Sequence, residues 1–203
     1  MTLSDMGMLG GVSRWEPNAY GRLEQAAMDL FEERGFDQTT VEDIATRAGL
    51  TKRTFFRHFA DKREVLFGGD PGSALREVVV AGLADAPPDA APLDAVAAAL
   101  DAGAAFFTEE RRPFARRRQR VVGAHAELRE RELVKLASIS SALAAGLRER
   151  GVDEPVASLT AETALAVFRV AFERWVAPGE TRDLTDLTRD SLATLRTVAA
   201  APA

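Results

Sequence analysis

Residues 40 to 66 read TVEDIATRAGLTKRTFFRHFADKREVL, and this stretch decides the fold. Thr40 can cap the N-terminus of a helix, and Asp43, three residues later, completes a capping-box pair. Apolar residues at positions 41, 44, 45 and 48 then recur at the spacing of one helical face. Gly49 suits the left-handed turn that ends such a helix, and Thr51 can cap the next one. The pattern predicts two short helices joined by a tight turn, the helix-turn-helix arrangement of DNA-binding proteins.

The second of these helices divides into an apolar side and a polar or basic side. Its three aromatic residues, Phe55, Phe56 and Phe59, are predicted to face the core. The remaining side chains form the outer surface, namely Lys52, Arg53, Thr54, Arg57 and His58. For His58 a structural role is an open alternative, because it lies between core aromatics. Asp61 and Glu64 form a further cap pair, which predicts that another helix begins there.

Charge is concentrated in this stretch. Between Arg47 and Arg63 there are six basic residues against one acidic residue, whereas the whole chain has a net charge of -5. A basic window in an acidic protein favours binding of a polyanion at one place. A run of charge is also typical of an ordinary solvated face, but here it coincides with the caps, the turn glycine and the apolar period.

The same stretch resembles the N-terminal DNA-binding domain of TetR-family transcriptional regulators, and residues 23 to 39, LEQAAMDLFEERGFDQT, resemble that family's first helix. The resemblance implies a double-stranded DNA operator as partner. It assigns DNA contacts to Thr40, Thr51, Lys52, Arg53, Thr54, Arg57, His58 and Lys62. One position departs from the family pattern, because Phe56 stands where a tyrosine usually gives its hydroxyl to a phosphate. We therefore expect phosphate anchoring to depend more on Thr51, Lys52 and Lys62.

Length and composition limit the other functions. The chain has 203 residues, so roughly 140 remain for a second domain with its own core. Cysteine is absent, which excludes disulfides and thiolate sites and is consistent with the cytoplasm. No apolar run has the length of a membrane span, and residues 1–15 are predicted to be a mobile arm. With two histidines and one tyrosine, the chain shows no acid–base or metal-ligand spacing. We expect no enzymatic activity, metal or cofactor.

Helical periodicity continues along the rest of the chain, and strand patterns are nearly missing. The sequence predicts an all-α fold of about nine helices, with a helix-turn-helix domain at 16–66 and a ligand-binding and dimerisation domain at 67–203. A fourth helix is predicted from Asp61 to Leu83, broken or kinked by the glycines and proline of residues 68–72. Because this helix leaves the DNA-binding domain, we expect it to transmit a change in the second domain to the reading helices. The other predicted helices span 17–34, 92–110, 113–122, 126–150, 155–176 and 183–199.

The second domain carries two features that bear on function. Large apolar side chains are spread over four predicted helices, where they form an ordinary core or line a cavity. Residues 111 to 120, RRPFARRRQR, contain six arginines and no acid. They form either a solvated face balanced by nearby glutamates or an anion site, because guanidinium groups bind phosphate in a bidentate manner.

Residues 106 to 152 and 167 to 176 resemble the C-terminal domain of a TetR subgroup of acyl-CoA-like ligand-binding regulators, which includes the mycofactocin-system regulator. The resemblance implies that an acyl chain enters an apolar cavity while CoA phosphates meet Arg116, Arg117 and Arg120. The predicted ligand-binding set is Phe106, Phe107, Phe114, Arg116, Arg117, Arg120, Val121, Phe168, Phe172 and Trp175.

These observations predict a bacterial homodimer. A single reading helix contacts few base pairs, so helix-turn-helix proteins bind two half-sites as a two-fold dimer. The apolar stripes of the last two helices suit a dimer interface or a core, and the resemblance implies the interface. The predicted function is a repressor that leaves a palindromic operator when a small hydrophobic or acyl-CoA-like ligand binds. The alternative is a constitutive DNA-binding regulator, or an activator, whose second domain only dimerises.

Overall fold

A computed structural model describes residues 18–68 and 73–200, and every regular element in these ranges is helical. The predicted all-α fold of about nine helices is confirmed, whereas the predicted arm at 1–15 lies outside the described residues. Two 3-10 turns lie at Glu64–Leu66 and Glu109–Arg111. The nine α-helices are α1 Ala19–Arg34, α2 Val41–Arg47, α3 Lys52–His58, α4 Ser73–Ala84, α5 Pro92–Ala105, α6 Arg112–Ala124, α7 Ala126–Glu149, α8 Glu154–Trp175 and α9 Leu184–Ala200.

The caps predicted for the helix-turn-helix are present. The Thr40 hydroxyl accepts a hydrogen bond from the Asp43 amide at 3.2 Å, and the Thr40 amide donates to the Asp43 carboxylate at 2.9 Å. Gly49 has φ +66°, which L-residues with a side chain rarely adopt, and this turn separates α2 from α3. Thr51 caps α3 by accepting from the Thr54 amide. The capping box, the turn glycine and the second cap are therefore confirmed.

The aromatic residues in α3 and at its C-cap do not all face the core. Phe55 and Phe59 are buried, but Phe56 is 50% exposed, so the predicted core position of Phe56 is wrong. Consecutive residues lie about 100° apart around a helix, so α3 can turn only one of two neighbouring rings fully inward. Phe55 takes that place and meets Phe59 at 5.4 Å between ring centroids.

The fourth helix, predicted from Asp61 to Leu83 with a break or kink at residues 68–72, is interrupted at Gly68, but its predicted start at Asp61 is wrong. The Asp61 carboxylate accepts from the amides of Arg63 and Glu64, but it begins only the 3-10 turn Glu64–Leu66. Gly68 has φ +90°, outside the right-handed helical region, so the helix cannot continue through it. α4 is a separate helix that begins at Ser73.

The second domain is a bundle in which α8 packs against α5, α7 and α9, and α4 packs closely on α5. α8 has 22 residues and a mean hydropathy of 1.3 in its most apolar window, which matches a membrane span in length and composition. A core helix of a soluble protein passes the same test, and α8 contributes Ala157, Ala161, Ala164 and Val167 to the bundle core.

The core of the helix-turn-helix extends beyond residues 16–66. Val121 and Val122 from α6 and Leu128 from α7 belong to the same buried cluster as the side chains of α1 to α3. α6 therefore lies at the junction of the two predicted domains, with one end packed into the DNA-binding unit.

Candidate DNA-binding surface and ligand cavity

The outer surface of α3 presents most of the predicted DNA contacts to solvent. Thr51, Lys52, Arg53 and Arg57 are exposed, and Thr54 is half-buried. Arg53 and Arg57 make no ion pair with any residue in 18–68 or 73–200, so their guanidinium groups are available for phosphate or base edges. The Thr54 hydroxyl lies 3.0 Å from the Thr51 hydroxyl.

Thr40 and Lys52 are both held by neighbouring acids. The Thr40 hydroxyl donates to Asp43 at 2.6 Å, and hydrogen bonds from Thr40 lower the pKa of Asp43 to about 2. Lys52 forms an ion pair with Glu42 of α2, and this hydrogen bond lowers the pKa of Glu42. The Lys52 ammonium also lies 5.9 Å from the centre of the Phe56 ring. In this structure Lys52 is therefore engaged by an acid of α2 and an aromatic ring of α3.

Other basic residues of the window are engaged within the protein. Arg47 makes two hydrogen bonds to Glu33, and Arg63 pairs with Asp61. The Lys62 ammonium donates to the carbonyls of Phe36 at 2.8 Å and Thr39 at 3.2 Å and lies 4.2 Å from the Phe36 ring centre. The excess positive charge of the window is thus concentrated at α3.

His58 lies at the inner end of α3 rather than on its exposed side. Its ring meets Tyr20 edge-on at 6.3 Å, and its Nε2 is buried without a hydrogen-bond partner among the described residues. Tyr20 also packs against Phe59 at 4.9 Å. The side chain of His58 therefore joins α3 to α1.

A cavity of about 530 Å³ lies between the helix-turn-helix and the second domain. Both units supply its lining, which combines apolar side chains, mainly aromatic (the aromatic wall), with charged side chains (the charged wall). The lining residues are Tyr20, Glu24, Leu66, Phe67, Gly68, Ala74, Leu75, Phe106, Phe107, Glu110, Arg111, Phe114, Ala115, Arg118, Glu132, Lys135, Leu136, Phe168 and Phe172. The volume lies in the range typical of small-molecule sites.

The structure brings five of the residues predicted to bind a ligand together at this cavity. They are Phe106, Phe107, Phe114, Phe168 and Phe172. Phe107 is central to the aromatic wall, with ring centroids at 5.2 Å from Phe172 and 5.9 Å from Phe168. This wall suits an apolar ligand body.

The other five predicted ligand residues do not line the cavity. Arg116 donates to the carbonyls of Val176 and Ala177 at 3.0 and 2.9 Å. Trp175 is fully buried behind Phe107, at 6.0 Å between ring centroids. Val121 belongs to the core of the helix-turn-helix.

Arg117 and Arg120 point to α1 instead. Arg117 contacts Asp29 at 2.6 Å and Glu32 at 2.8 Å, and Arg120 contacts Glu32 at 2.8 Å.

The arginine-rich segment therefore joins helices through acids and carbonyls. Nearby glutamates balance it in part, as one alternative predicted, since Glu109 pairs with Arg112 and Glu132 with Arg118, but these two arginines are largely buried rather than solvated. The three arginines predicted to bind CoA phosphates therefore already have partners within the protein.

The charged wall was missed by the sequence analysis. Burial raises the pKa of Tyr20 to about 12 and raises that of Glu24, while Arg111 and Arg118 oppose the effect on Glu24. Burial, reinforced by Arg118, lowers the pKa of Lys135 to about 8. The spacing of Glu132 and Lys135 on one side of α7 was the one available signal, but such pairs are common on exposed helices.

An exposed reading helix on a helix-turn-helix, joined to an all-helical domain with a cavity, defines a DNA-binding transcriptional regulator. The family model described as "Bacterial regulatory proteins, tetR family" matches residues 24–67, and the model described as "MftR C-terminal domain" matches residues 90–200. The chain therefore belongs to the TetR family of bacterial transcriptional regulators.

Two curated relatives agree with this assignment. The mycofactocin biosynthesis transcriptional regulator MftR of Mycobacterium tuberculosis is 30% identical over 158 residues, which cover 76% of this chain and 78% of MftR. The regulator TcmR of Streptomyces glaucescens is 42% identical over 81 residues. That alignment covers 40% of this chain and spans only 35% of TcmR.

Solved structures share the fold. The TetR-family regulator PfmR of Thermus thermophilus has a TM-score of 0.51 and 27% identity, with coverage of 86% of this chain and 96% of PfmR. A TetR-family regulator from Syntrophomonas wolfei has a TM-score of 0.62 at 15% identity, with coverage of 92% and 97%.

Proposed function

We propose that this cytoplasmic protein represses transcription as a homodimer on a palindromic operator and is released by a small hydrophobic or acyl-CoA-like ligand. The observation that carries the proposal is the position of the cavity, whose wall combines Tyr20, Glu24 and Leu66 with the aromatic residues of the second domain. A ligand there contacts the DNA-binding unit directly and favours one arrangement of the two units over another.

The link from the cavity to the reading helix supports release by ligand. Tyr20 lines the cavity and packs against His58 and Phe59 at the end of α3. Arg118 also lines the cavity and donates to the Leu66 carbonyl at 2.5 Å. A ligand that displaces either side chain alters the support of α3, so the spacing of the two reading helices no longer fits successive major grooves.

An apolar stripe on α8 supports the dimer. Val156, Leu159 and Val170 are exposed by 46%, 70% and 48%, and Val198 of α9 by 69%. The three residues of α8 recur at helical spacing, and such a stripe on a bundle helix is typical of an interface. Other members of the apolar stripes of the last two helices are buried in the protomer's own core, namely Val167, Leu184, Leu187 and Leu192.

The proposed DNA contacts fall into two groups, one at the N-terminal end of α3 and one elsewhere in the helix-turn-helix. Thr51 and Thr54 lie at the N-terminal end of α3, with Lys52 and Arg53 beside them, where helix-turn-helix proteins meet base edges and phosphates. Thr40, Arg57, His58 and Lys62 complete the proposed set. His58 and Lys62 must give up internal packing or hydrogen bonds to reach DNA.

Footprinting of DNA upstream of the protein's own gene tests the proposal. We expect protection of a palindrome whose half-sites are one helical turn or a multiple of it apart, and loss of protection when an acyl-CoA or a free fatty acid is added. A protected site that neither compound releases would favour the constitutive alternative. No protected site at micromolar protein would contradict the proposed operator.

A further inference from the structure

Lys135 belongs to the charged wall of the cavity, and two ion pairs act on it electrostatically. Arg118 of α6 pairs with Glu132, and Arg131 pairs with Glu64 at 2.7 Å. All four of these side chains act on Lys135 electrostatically, the two arginines against its positive charge and the two glutamates in its favour. Each glutamate is already neutralised by its own arginine. Lys135 therefore adds one unbalanced positive charge to this part of the wall.

The Lys135 ammonium makes no hydrogen bond or ion pair with the described part of the chain, although the side chain is half-buried and lines the cavity. Its pKa is lowered to about 8 because burial removes the ammonium from water and Arg118 repels it. Desolvation of a cation without a partner is unfavourable, and an anion placed beside it removes that cost.

We propose that Lys135 receives the anionic group of an apolar monocarboxylic acid whose body lies against Phe107, Phe168 and Phe172. The inference rests on the proposed function, since it takes the cavity as the effector site, and it adds the chemical class of the effector. The acid places its negative charge beside Lys135, while the aromatic wall removes its apolar body from water.

The charges facing Lys135 favour an anion over a cationic ligand. The cavity also contains Glu24, but Arg111 and Arg118 act on this carboxylate and oppose its raised pKa. Glu132 is held below its usual pKa by Arg118 and Lys135 despite the opposite effect of burial. Glu110 also lines the cavity, next to Arg111 in the chain, whereas the two glutamates that act on Lys135 are each already paired with an arginine.

The remaining arginines favour a single carboxylate over a polyphosphate head. Arg116 is bound to two backbone carbonyls, and Arg117 and Arg120 are bound to acids of α1. Arg111 also lines the cavity and lies 4.9 Å from the centre of the Phe106 ring, so the described wall offers the Lys135 ammonium and one further guanidinium rather than the several that phosphate recognition uses.

Two fluorescent probes of nearly the same ring structure test the role of the charge. The first, 8-anilinonaphthalene-1-sulfonate, is anionic, and the second, N-phenyl-1-naphthylamine, is uncharged. With full-length protein at pH 7, Lys135→Met is expected to weaken binding of the anionic probe by at least about tenfold and to change binding of the neutral probe by less than about twofold. Lys135→Arg, which keeps the charge, is expected to retain most of the affinity for the anionic probe.

Two further measurements use the wild-type protein. Affinity for the anionic probe is expected to fall as pH rises through about 8, where Lys135 loses its proton, while affinity for the neutral probe stays constant. Laurate is expected to displace the anionic probe, whereas methyl laurate and lauroyl-CoA are expected to compete at least about tenfold less well.

The outcomes separate this inference from the proposed function. Equal affinity of wild type and Lys135→Met for the anionic probe, or equal loss of both probes, overturns the role of Lys135 and leaves the effector cavity standing. Stronger competition by lauroyl-CoA than by laurate overturns the monocarboxylate and supports the acyl-CoA effector. If the wild type binds neither probe nor laurate, the cavity is not an effector site and both proposals fail.

Discussion

Glu42 and Lys52 form an ion pair on the exposed surface of the helix-turn-helix, so Glu42 competes with the phosphate contact proposed for Lys52. Replacing Glu42 by Gln removes this competitor and one negative charge near the DNA. We expect operator affinity to rise by about two- to fivefold at low salt, and the salt dependence to steepen by about one released counterion. Fluorescence anisotropy at several salt concentrations measures both.

Glu154→Gln is the matched control, since Glu154 is also an exposed glutamate paired with an arginine, Arg148, but lies at the start of α8. It is expected to leave operator binding unchanged. An equal gain from both variants would mean that net charge alone matters, and no gain from Glu42→Gln would remove Lys52 from the proposed contacts.

Lys62 stabilises the segment between α1 and α2 through its hydrogen bonds to the Phe36 and Thr39 carbonyls. Lys62→Met keeps the apolar stem and loses the ammonium, so we expect a loss of about 1–3 kcal/mol in the free energy of unfolding. Urea denaturation measures it. Lys52→Met, at an exposed lysine of α3, serves as the control and is expected to change stability by less than about 0.5 kcal/mol.

A loss of operator affinity without a loss of stability would assign Lys62 a different role. If Lys62→Met unfolds like wild type but binds operator more weakly, Lys62 acts on phosphate, as the family resemblance implies, and its internal hydrogen bonds are exchanged when DNA arrives.

Single-residue roles were only partly predictable from the sequence. Thr40, Gly49 and Thr51 were predictable because caps and left-handed turns depend on neighbours within four residues. The exposure of Phe56 and the hydrogen bonds of Lys62 were not predictable, because both depend on contacts with other segments of the chain. Phe36, which Lys62 covers, lies 26 positions earlier in the chain.

At the scale of elements, α6 connects the cavity to the DNA-binding unit. It carries Phe114 and Arg118 into the cavity wall, and it holds α1 through Arg117 and Arg120. In Arg117→Gln/Arg120→Gln, we expect operator binding without ligand to persist. The loss of operator affinity caused by laurate should fall from a typical coupling of about 5–150-fold to less than about twofold.

Arg148→Gln tests whether any lost surface arginine has this effect, because Arg148 pairs with Glu154 away from the cavity. It is expected to respond to laurate like wild type. A double variant that is still released by laurate would show that α6 does not transmit the change.

The helices themselves were predicted more closely than their connections. Most begin and end within two residues of the prediction, because caps and apolar period are local. α5 ends at Ala105 although its pattern continues to Glu110. Phe107 packs instead against Phe168 and Phe172 of α8, more than 60 positions later, and that distant contact determines where the chain leaves the helix.

At the scale of the whole molecule, the exposed stripe of α8 determines the proposed assembly. Leu159 is its most exposed member at 70%. Leu159→Glu places like charges near each other across a two-fold interface, so we expect a monomer at micromolar concentration by light scattering. Affinity for the palindrome should fall by more than about tenfold, since only a dimer engages both half-sites.

Leu133→Glu is the control, because Leu133 of α7 is a similarly exposed leucine, at 62%, outside the stripe. It is expected to remain dimeric. Dissociation of both variants would indicate that the dimer interface includes α7, and dissociation of neither would place it elsewhere.

The cavity was the part of the molecule least accessible to sequence analysis. Its aromatic wall was predicted in composition, since Phe107, Phe168 and Phe172 are large apolar residues on helices. Its charged wall combines Glu24 with Lys135, which are more than 100 positions apart. No local sequence pattern predicts that these two residues lie in one cavity, because their proximity depends on how α1, α6 and α7 pack.

The shared core of α1 to α3 with Val121, Val122 and Leu128 has a consequence for biosynthesis. The ribosome delivers the segment that reads DNA first, but the side chains that complete its interior emerge about 60 residues later. A nascent or truncated chain that ends before α6 exposes the apolar surface meant for those side chains. We therefore expect the helix-turn-helix to be unstable when it is produced alone, and to fold fully only after α6 and the start of α7 have been made.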